Sequence, residues 1–254
     1  MNKKYFTPKK IHAYLRAAIQ LVFFLFLPSA FTTAFSGIKS VLTQIGAGNP
    51  IAWSSFLTVL LALCAYTIVF GRFFCGYACA FGTLGDAVHS LYLFLCKKCK
   101  KKPLLLKKSW KKPLSYLKYA VLLAVVLLCF LGVYGDLTGW SPWDVFSMLR
   151  SGNFKVGAYW LGCILLVLIL VGMVFCERFF CRFLCPMGAV FSLLPILPFF
   201  SVRRKREKCA KGCTACEKVC PSDLSLPEDG SWNVSGDCFQ CQKCLEICPK
   251  KNAK

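Results

Sequence analysis

Acidic side chains are scarce in this sequence: 11 Asp and Glu stand against 32 Lys and Arg, for a formal net charge of +21, and there are two histidines. No nucleophile–base–carboxylate arrangement of the hydrolase or transferase kind emerges, and there is no phosphate-binding glycine loop and no haem-attachment motif. The lack of an acidic pair within the apolar segments argues against an ion-coupled transporter. Charge is missing altogether from residues 17–38, 40–71, 119–135 and 156–176. A charged residue at the centre of a spanning helix costs about 2.5–3.5 kcal/mol on insertion scales, so charge-free runs of this length select for membrane segments.

What is present fits that reading. Hydrophobic residues make up 57% of the chain, above the roughly 45–50% of ordinary soluble domains. About 20 apolar residues cross a bilayer as helix, which predicts four spans: 17–38, 51–70, 119–135 and 156–176. The first is read as a span rather than a removable signal, because no small-residue cleavage site follows it. Lys3, Lys4, Lys9, Lys10 and Arg16 flank the first span, ten lysines lie from Lys97 to Lys118, and Arg203, Arg204, Lys205 and Arg206 follow the fourth. The loops near 36–50 and 136–155 carry few charges. By the positive-inside rule both termini and the lysine-rich loop face the cytoplasm of a multi-pass protein of the cytoplasmic membrane. The charge is thus assigned to topology and membrane lipid, with no nucleic acid as partner. Trp140, Trp143 and Trp160 fall where interfacial anchors are expected.

The chain repeats itself. Arg72-Phe73-Phe74-Cys75 recurs as Arg178-Phe179-Phe180-Cys181, and the same shift of 106 residues superimposes Cys79 on Cys185 and Gly82 on Gly188. Each repeat reads as a helical hairpin ending in Cys-x₃-Cys, with residues 71–96 and 177–200 at the cytoplasmic edge. Two repeats of one topology imply a pseudo-twofold axis along the membrane normal, which brings the two cysteine pairs together. Positions i and i+4 share a helix face, so Cys75, Cys79, Cys181 and Cys185 are candidate ligands of one metal or iron–sulfur site. A redox dithiol or plain packing are the alternatives.

The tail holds eight more cysteines. Cys238-x₂-Cys241-x₂-Cys244-x₃-Cys248-Pro249 is the bacterial ferredoxin run, in which the fourth cysteine crosses to the neighbouring cluster. Cys238, Cys241, Cys244 and Cys220 are therefore expected to hold one [4Fe–4S] cluster, and Cys209, Cys213, Cys216 and Cys248 the other. The first run carries one extra residue, Lys211 or Gly212. Zinc is the competing occupant. Cys96 and Cys99 lack a matching pair and read as free thiols; Cys64, Cys129, Cys163 and Cys176 read as packing residues. Asp86 and His89 read as headgroup or capping residues. Arg72 and Arg178 pair either with lipid phosphate or with the charge of a thiolate cluster. The fold class expected is an all-α integral membrane protein of four transmembrane helices in two repeated hairpins (1–200), with a small ferredoxin-like α+β domain (201–254).

The paired Arg-Phe-Phe-Cys-x₃-Cys elements, the basic run from Lys112 to Tyr119 and the tandem ferredoxin runs resemble the NapH-type membrane polyferredoxins, over essentially the whole chain. The family's repeated motif ends Cys-Pro, kept at Cys185-Pro186 and replaced at Cys79-Ala80. The resemblance implies an electron-transfer subunit of an oxidoreductase system. It would link a quinone pool or a cytoplasmic donor such as a ferredoxin or flavodoxin to a redox partner across the membrane, an extracytoplasmic reductase among the candidates. A copper or thiol reductase for protein maturation, and a redox sensor, are the alternatives.

Overall fold

The computed structural model describes residues 8–26, 30–135, 141–150, 152–153, 157–197, 201–205, 209, 213–233 and 235–248. The chain opens with α1 (Pro8–Phe26) and α2 (Ala30–Gly46), followed by α3 (Ser55–Phe70), the short α4 (Phe73–Tyr77) and α5 (Ala80–Lys98). After α6 (Lys108–Leu114) come α7 (Leu117–Phe130), α8 (Pro142–Arg150), α9 (Trp160–Phe175), the short α10 (Phe179–Phe183) and α11 (Pro186–Leu193). Local chemistry sets several bounds. Ser54 caps α3 by accepting a hydrogen bond from the Leu57 N–H at 3.3 Å. Gly71, at φ +67°, turns the chain sharply after α3, a conformation only glycine adopts freely. Pro186 occupies the first turn of α11, where its missing N–H costs nothing.

The internal repeat is larger than a hairpin. The 106-residue shift carries α4 onto α10 residue for residue, and the start of α5 onto the start of α11. It also lays α3 within one residue of α9, and α1 and α2 over α7 and α8. Each repeat therefore has five helical elements. The expected span at 17–38 falls on two helices, α1 and α2, and residues 27–29 between them lie outside the described residues. Among the described residues one helix, Ser109–Phe130, is long and apolar enough to cross a bilayer, with 22 residues and mean hydropathy 2.0. Ala13–Phe26, Ser55–Phe70 and Trp160–Phe175 are shorter. Sixteen residues rise about 24 Å, against a hydrocarbon core of about 30 Å. Exposed apolar side chains cover the outer faces of these helices, Leu21 and Leu25 on α1, Phe56 and Leu61 on α3, Leu123 and Leu127 on α7, Val167 and Leu168 on α9. Faces of this kind suit contact with lipid.

Two tryptophans part company. Trp160 is 65% exposed at the start of α9, as an interfacial anchor should be. Trp143 is 7% exposed and packs edge-on against Phe35, with ring centroids 5.0 Å apart. It is a core residue, because α8 folds back against α9 and α2 instead of lying in an outer loop. Trp140 lies outside the described residues.

The tail contributes β1 (Arg203–Lys205) and β2 (Asp229–Trp232), which pair antiparallel, and two short helices, α12 (Ala215–Lys218) and α13 (Lys243–Ile247), which touch each other. Lys211, Gly212 and Pro249 lie outside the described residues.

Candidate redox site on the repeat axis

Cys75 and Cys181 sit in the middle of the matching short helices α4 and α10, whereas Cys79 and Cys185 are the N-cap residues of α5 and α11. The expectation that each pair shares one helix face is therefore corrected. The chain breaks helix between the two cysteines, and the second thiol lies at the start of a new helix, where backbone N–H groups are unsatisfied. The Gly188 N–H donates to Cys185 Sγ at 3.2 Å.

All four cysteines are buried. Cys79 and Cys181 are within hydrogen-bonding reach, and each pair feels the charge of the other. The Cys181 hydrogen bond and the Gly82 and Phe81 N–H groups bring the Cys79 thiol down to about 7. Burial raises Cys75 and Cys185, and the bond to Cys79 together with burial raises Cys181. Without metal the site is thus a set of buried thiols with one acidic member. Among the described residues no three His, Cys, Asp or Glu side chains close on a single metal-ion position. Four enclosed thiols suit a cluster that takes one thiolate at each of four irons.

The repeat symmetry extends to the arginines, both 1% exposed. Arg72 Nη2 donates to the Cys181 carbonyl at 3.4 Å, and Arg178 Nη1 donates to the Cys75 carbonyl, so each repeat grips the other's first cysteine. A Cβ on Gly82 would stand 2.9 Å from the Cys75 carbonyl, and one on Gly188 2.9 Å from that of Cys181, so both turns need glycine. Both guanidinium groups are buried and spend their N–H groups inside the fold, Arg72 on the Gly236 and Cys181 carbonyls and Asp237, Arg178 on the Cys75 and Gly76 carbonyls and Asp86.

Asp86 is a second correction. It is 8% exposed, bound by Arg178 at 3.0 and 2.6 Å, by Arg16 at 2.7 Å and by Gln20 at 2.8 Å. Burial alone would raise its carboxyl, but Arg178 and Arg16 outweigh that and hold it well below the usual carboxylate range. Arg178 is held so firmly that it keeps φ +56° without being glycine. His89 is also buried, with Nδ1 3.0 Å from the Val174 carbonyl. Cys129 and Cys176 are buried and Cys64 and Cys163 half-buried packing residues, as expected. Cys96 and Cys99 are half-buried and exposed free thiols at the end of α5.

In the tail, Cys220, Cys238, Cys241 and Cys244 line one cavity together with Cys216. Gln240 and Gln242, at φ +51° and +57°, flank Cys241, the alternating backbone that turns N–H groups toward a bound anion. Burial pushes the Cys238 and Cys244 thiols up to about 12. As free thiols they are protonated, and binding metal must release those protons. Arg204, buried, donates to Cys216 Sγ at 3.1 Å. Cys209, Cys213 and Cys248 are half-buried and each engaged within the fold.

The tail's cysteine loop rests directly on the membrane site. Arg72 pairs with Asp237 at 3.4 Å, Lys118 with the same carboxylate, Arg182 with Asp223 at 2.7 Å, and Lys243 with Glu177. Arg16 donates to the Cys241 carbonyl at 3.3 Å. Phe239 lies between Arg72 and Arg178, 4.7 and 5.2 Å from its ring centroid. None of these contacts was expected. The repeat itself carried a signal: Gly71 and Gly76 stand where the second repeat has Glu177 and Arg182, and both glycines lie under the tail.

A family profile described as a 4Fe–4S binding domain matches residues 52–113 and 158–206. The two stretches contain Cys75, Cys79, Cys181 and Cys185 and end before Cys209. An uncharacterized protein of Methanocaldococcus jannaschii is 32% identical over 76% of this chain and 68% of its own length. A second from the same organism is 30% identical over 90% and 88%. The ferredoxin-type protein NapH of Haemophilus influenzae is 26% identical over 73% of this chain and 62% of its own. No solved structure matches. Repeated cysteine pairs, crossed arginines, the family profile and these relatives together establish that the chain belongs to the NapH-type 4Fe–4S membrane polyferredoxin family.

Proposed function

We propose that this protein is a membrane-bound iron–sulfur electron-transfer protein with three thiolate-rich centres. Cys238, Cys241, Cys244 and Cys220 would hold one [4Fe–4S] cluster and Cys209, Cys213, Cys216 and Cys248 a second, in a ferredoxin-like cytoplasmic domain. Cys75, Cys79, Cys181 and Cys185 would hold a further cluster at the cytoplasmic edge of four spans. The observation that carries the reading is that two buried cysteines from each repeat lie near enough to feel one another's charge, with Gly76, the neighbour of Cys75, pressed against the tail's Phe239. The family profile supports it, since it covers these cysteines. Such clusters supply one-electron transfer; the protein fixes their surroundings through buried arginines and backbone N–H groups.

An isoprenoid quinone is the membrane partner this geometry favours. A cavity of about 480 Å³ lies between α7 and α9, walled by apolar side chains and by Phe180, the neighbour of Cys181. Tyr134 and Ser141 supply hydroxyls there, and the buried Ser141 hydroxyl has no hydrogen-bond partner among the described residues. Apolar walls with a few polar groups are what a quinone ring and tail require. The lysines from Lys97 to Lys112 offer an acidic redox protein a dock on the cytoplasmic side.

The test is anaerobic. Protein reduced with dithionite, freed of excess and mixed with a quinone in proteoliposomes should be reoxidised, with loss of its reduced EPR signals. Leu165→Trp, which fills the cavity, should slow that reoxidation about tenfold or more while leaving the iron content unchanged. Reduced signals that persist with quinone in excess would remove the quinone from the reading.

A further inference from the structure

The second repeat holds the tail by charge, whereas the first holds it by close approach. Arg182 of α10 binds Asp223 and the Pro221 carbonyl, at 2.7 and 2.6 Å. Its counterpart in the first repeat is Gly76 of α4, and a Cβ there would lie 2.3 Å from the Phe239 carbonyl oxygen and 3.9 Å from the Cys241 nitrogen. Glu177 pairs with Lys243, while its counterpart Gly71 lies against Gln240, where a Cβ would come within 3.1 Å of Nε2. Two glycines of the first repeat, Gly71 and Gly76, thus stand where the second repeat has Glu177 and Arg182, and both fall under one tail segment, Phe239-Gln240-Cys241. That segment is buried throughout. Phe239 lies between the two symmetry-related arginines, and those arginines grip Cys181 and Cys75. The ring thus contacts one matching arginine from each repeat, 4.7 and 5.2 Å from its centroid.

We infer that Phe239 is a positioning residue: it packs against one arginine of each repeat and locks the tail's cysteine loop, backbone to backbone, onto the membrane cysteine site. The inference rests on the proposed iron–sulfur reading of both sites and adds to it. It makes the two sites one rigid unit, with Cys75-Gly76 touching Phe239-Gln240-Cys241, rather than two domains joined by a linker. The clamp is chemically apt. Guanidinium groups held against an aromatic ring are favourable when water is excluded. The same two cations bind the backbone carbonyls of Cys181 and Cys75, so docking and the cysteine turns are held by one pair of side chains. Electrons crossing this contact make and break no bond; each one lost by one site is gained by the other.

Phe239→Ala and Gly76→Ala test this from opposite sides of the contact, and Phe239→Tyr is the conservative control. Hydrogen exchange of the amides of residues 236–241 should rise about tenfold or more in the first two and stay near wild type in the third. Unchanged exchange in both disruptive variants would overturn the docking. Reduced anaerobic protein should also show spin–spin broadening between the two centres. Phe239→Ala and Gly76→Ala should narrow it without loss of iron, and Phe239→Tyr should preserve it. Broadening that survives both substitutions would overturn the inference while leaving the clusters established. Should Phe239→Ala lose tail iron, Gly76→Ala decides, since it leaves the tail sequence intact. Should the membrane site prove iron-free, the cluster reading fails and the exchange measurement alone judges the docking.

Discussion

Asp86→Asn should destabilise the protein by about 3–5 kcal/mol, the largest stability loss expected of any single surface-neutral exchange of similar shape. The substitution removes one negative charge and leaves Arg178 and Arg16, both buried, facing a neutral amide. Uncompensated buried charge is far more costly than an absent pair. The double variant Asp86→Leu with Arg178→Met should therefore recover part of the loss, although it gives up the grip on the Cys75 carbonyl. Thermal unfolding in detergent provides the measurement. The same pair sets a pH dependence. The Asp86 carboxyl is depressed in the folded state, so its contribution is fully present above the ordinary carboxylate range near 4 and is lost as pH falls through the lower folded value. Acid sensitivity that is the same in wild type and Asp86→Asn would contradict this assignment.

Cys220→Ser should remove one tail cluster and spare the other, a loss of about four irons per chain. Cys220 ends the first cysteine run, yet it lines one cavity with Cys238, Cys241 and Cys244, as does Cys216. A ligand that crosses between runs predicts that Cys220→Ser and Cys244→Ser abolish the same EPR signal. Cys216→Ser should abolish the other. Pairing of Cys220 with Cys216 in their effects would show instead that each run holds its own cluster. The buried thiols at Cys238 and Cys244, raised to about 12, add a further sign. Reconstitution should release protons and weaken as the solution is made more acidic.

Much of this arrangement was legible in the sequence, and the reason differs from element to element. The Arg-Phe-Phe-Cys-x₃-Cys repeat survives at identical spacing, so the meeting of Cys75, Cys79, Cys181 and Cys185 follows from two copies of one topology. The nearness of Cys216 and Cys220 to the second run follows from two cysteine runs of one ferredoxin-like pattern. Helix faces were misread where a break intervenes: i and i+4 share a face only within one helix, and Cys79 and Cys185 begin new ones. Hydropathy likewise read 17–38 as one span, because a sliding apolar average does not register where one helix ends and the next begins. Trp143 looked interfacial from its place in a loop, but α8 turns it inward against Phe35. Asp86 looked like a headgroup residue, and Lys118 like one more charge of the lysine-rich loop, since each is one charge beside an apolar run. Their partners, Arg178 and Asp237, lie 92 and 119 residues away in sequence, beyond any local pattern. Phe239 offers no motif of its own; only the glycines that break the repeat at 71 and 76 point to it.

The most direct test of the central claim, an iron–sulfur centre on the repeat axis, is iron and acid-labile sulfide content with EPR of anaerobically purified, reduced protein. Wild type is compared with the variant carrying Cys75→Ser, Cys79→Ser, Cys181→Ser and Cys185→Ser together. The account predicts about twelve irons in wild type, about eight in the variant, and the loss of one distinct signal. About eight irons in both, with identical spectra, would contradict it and leave the four membrane cysteines as a thiol site without a cluster.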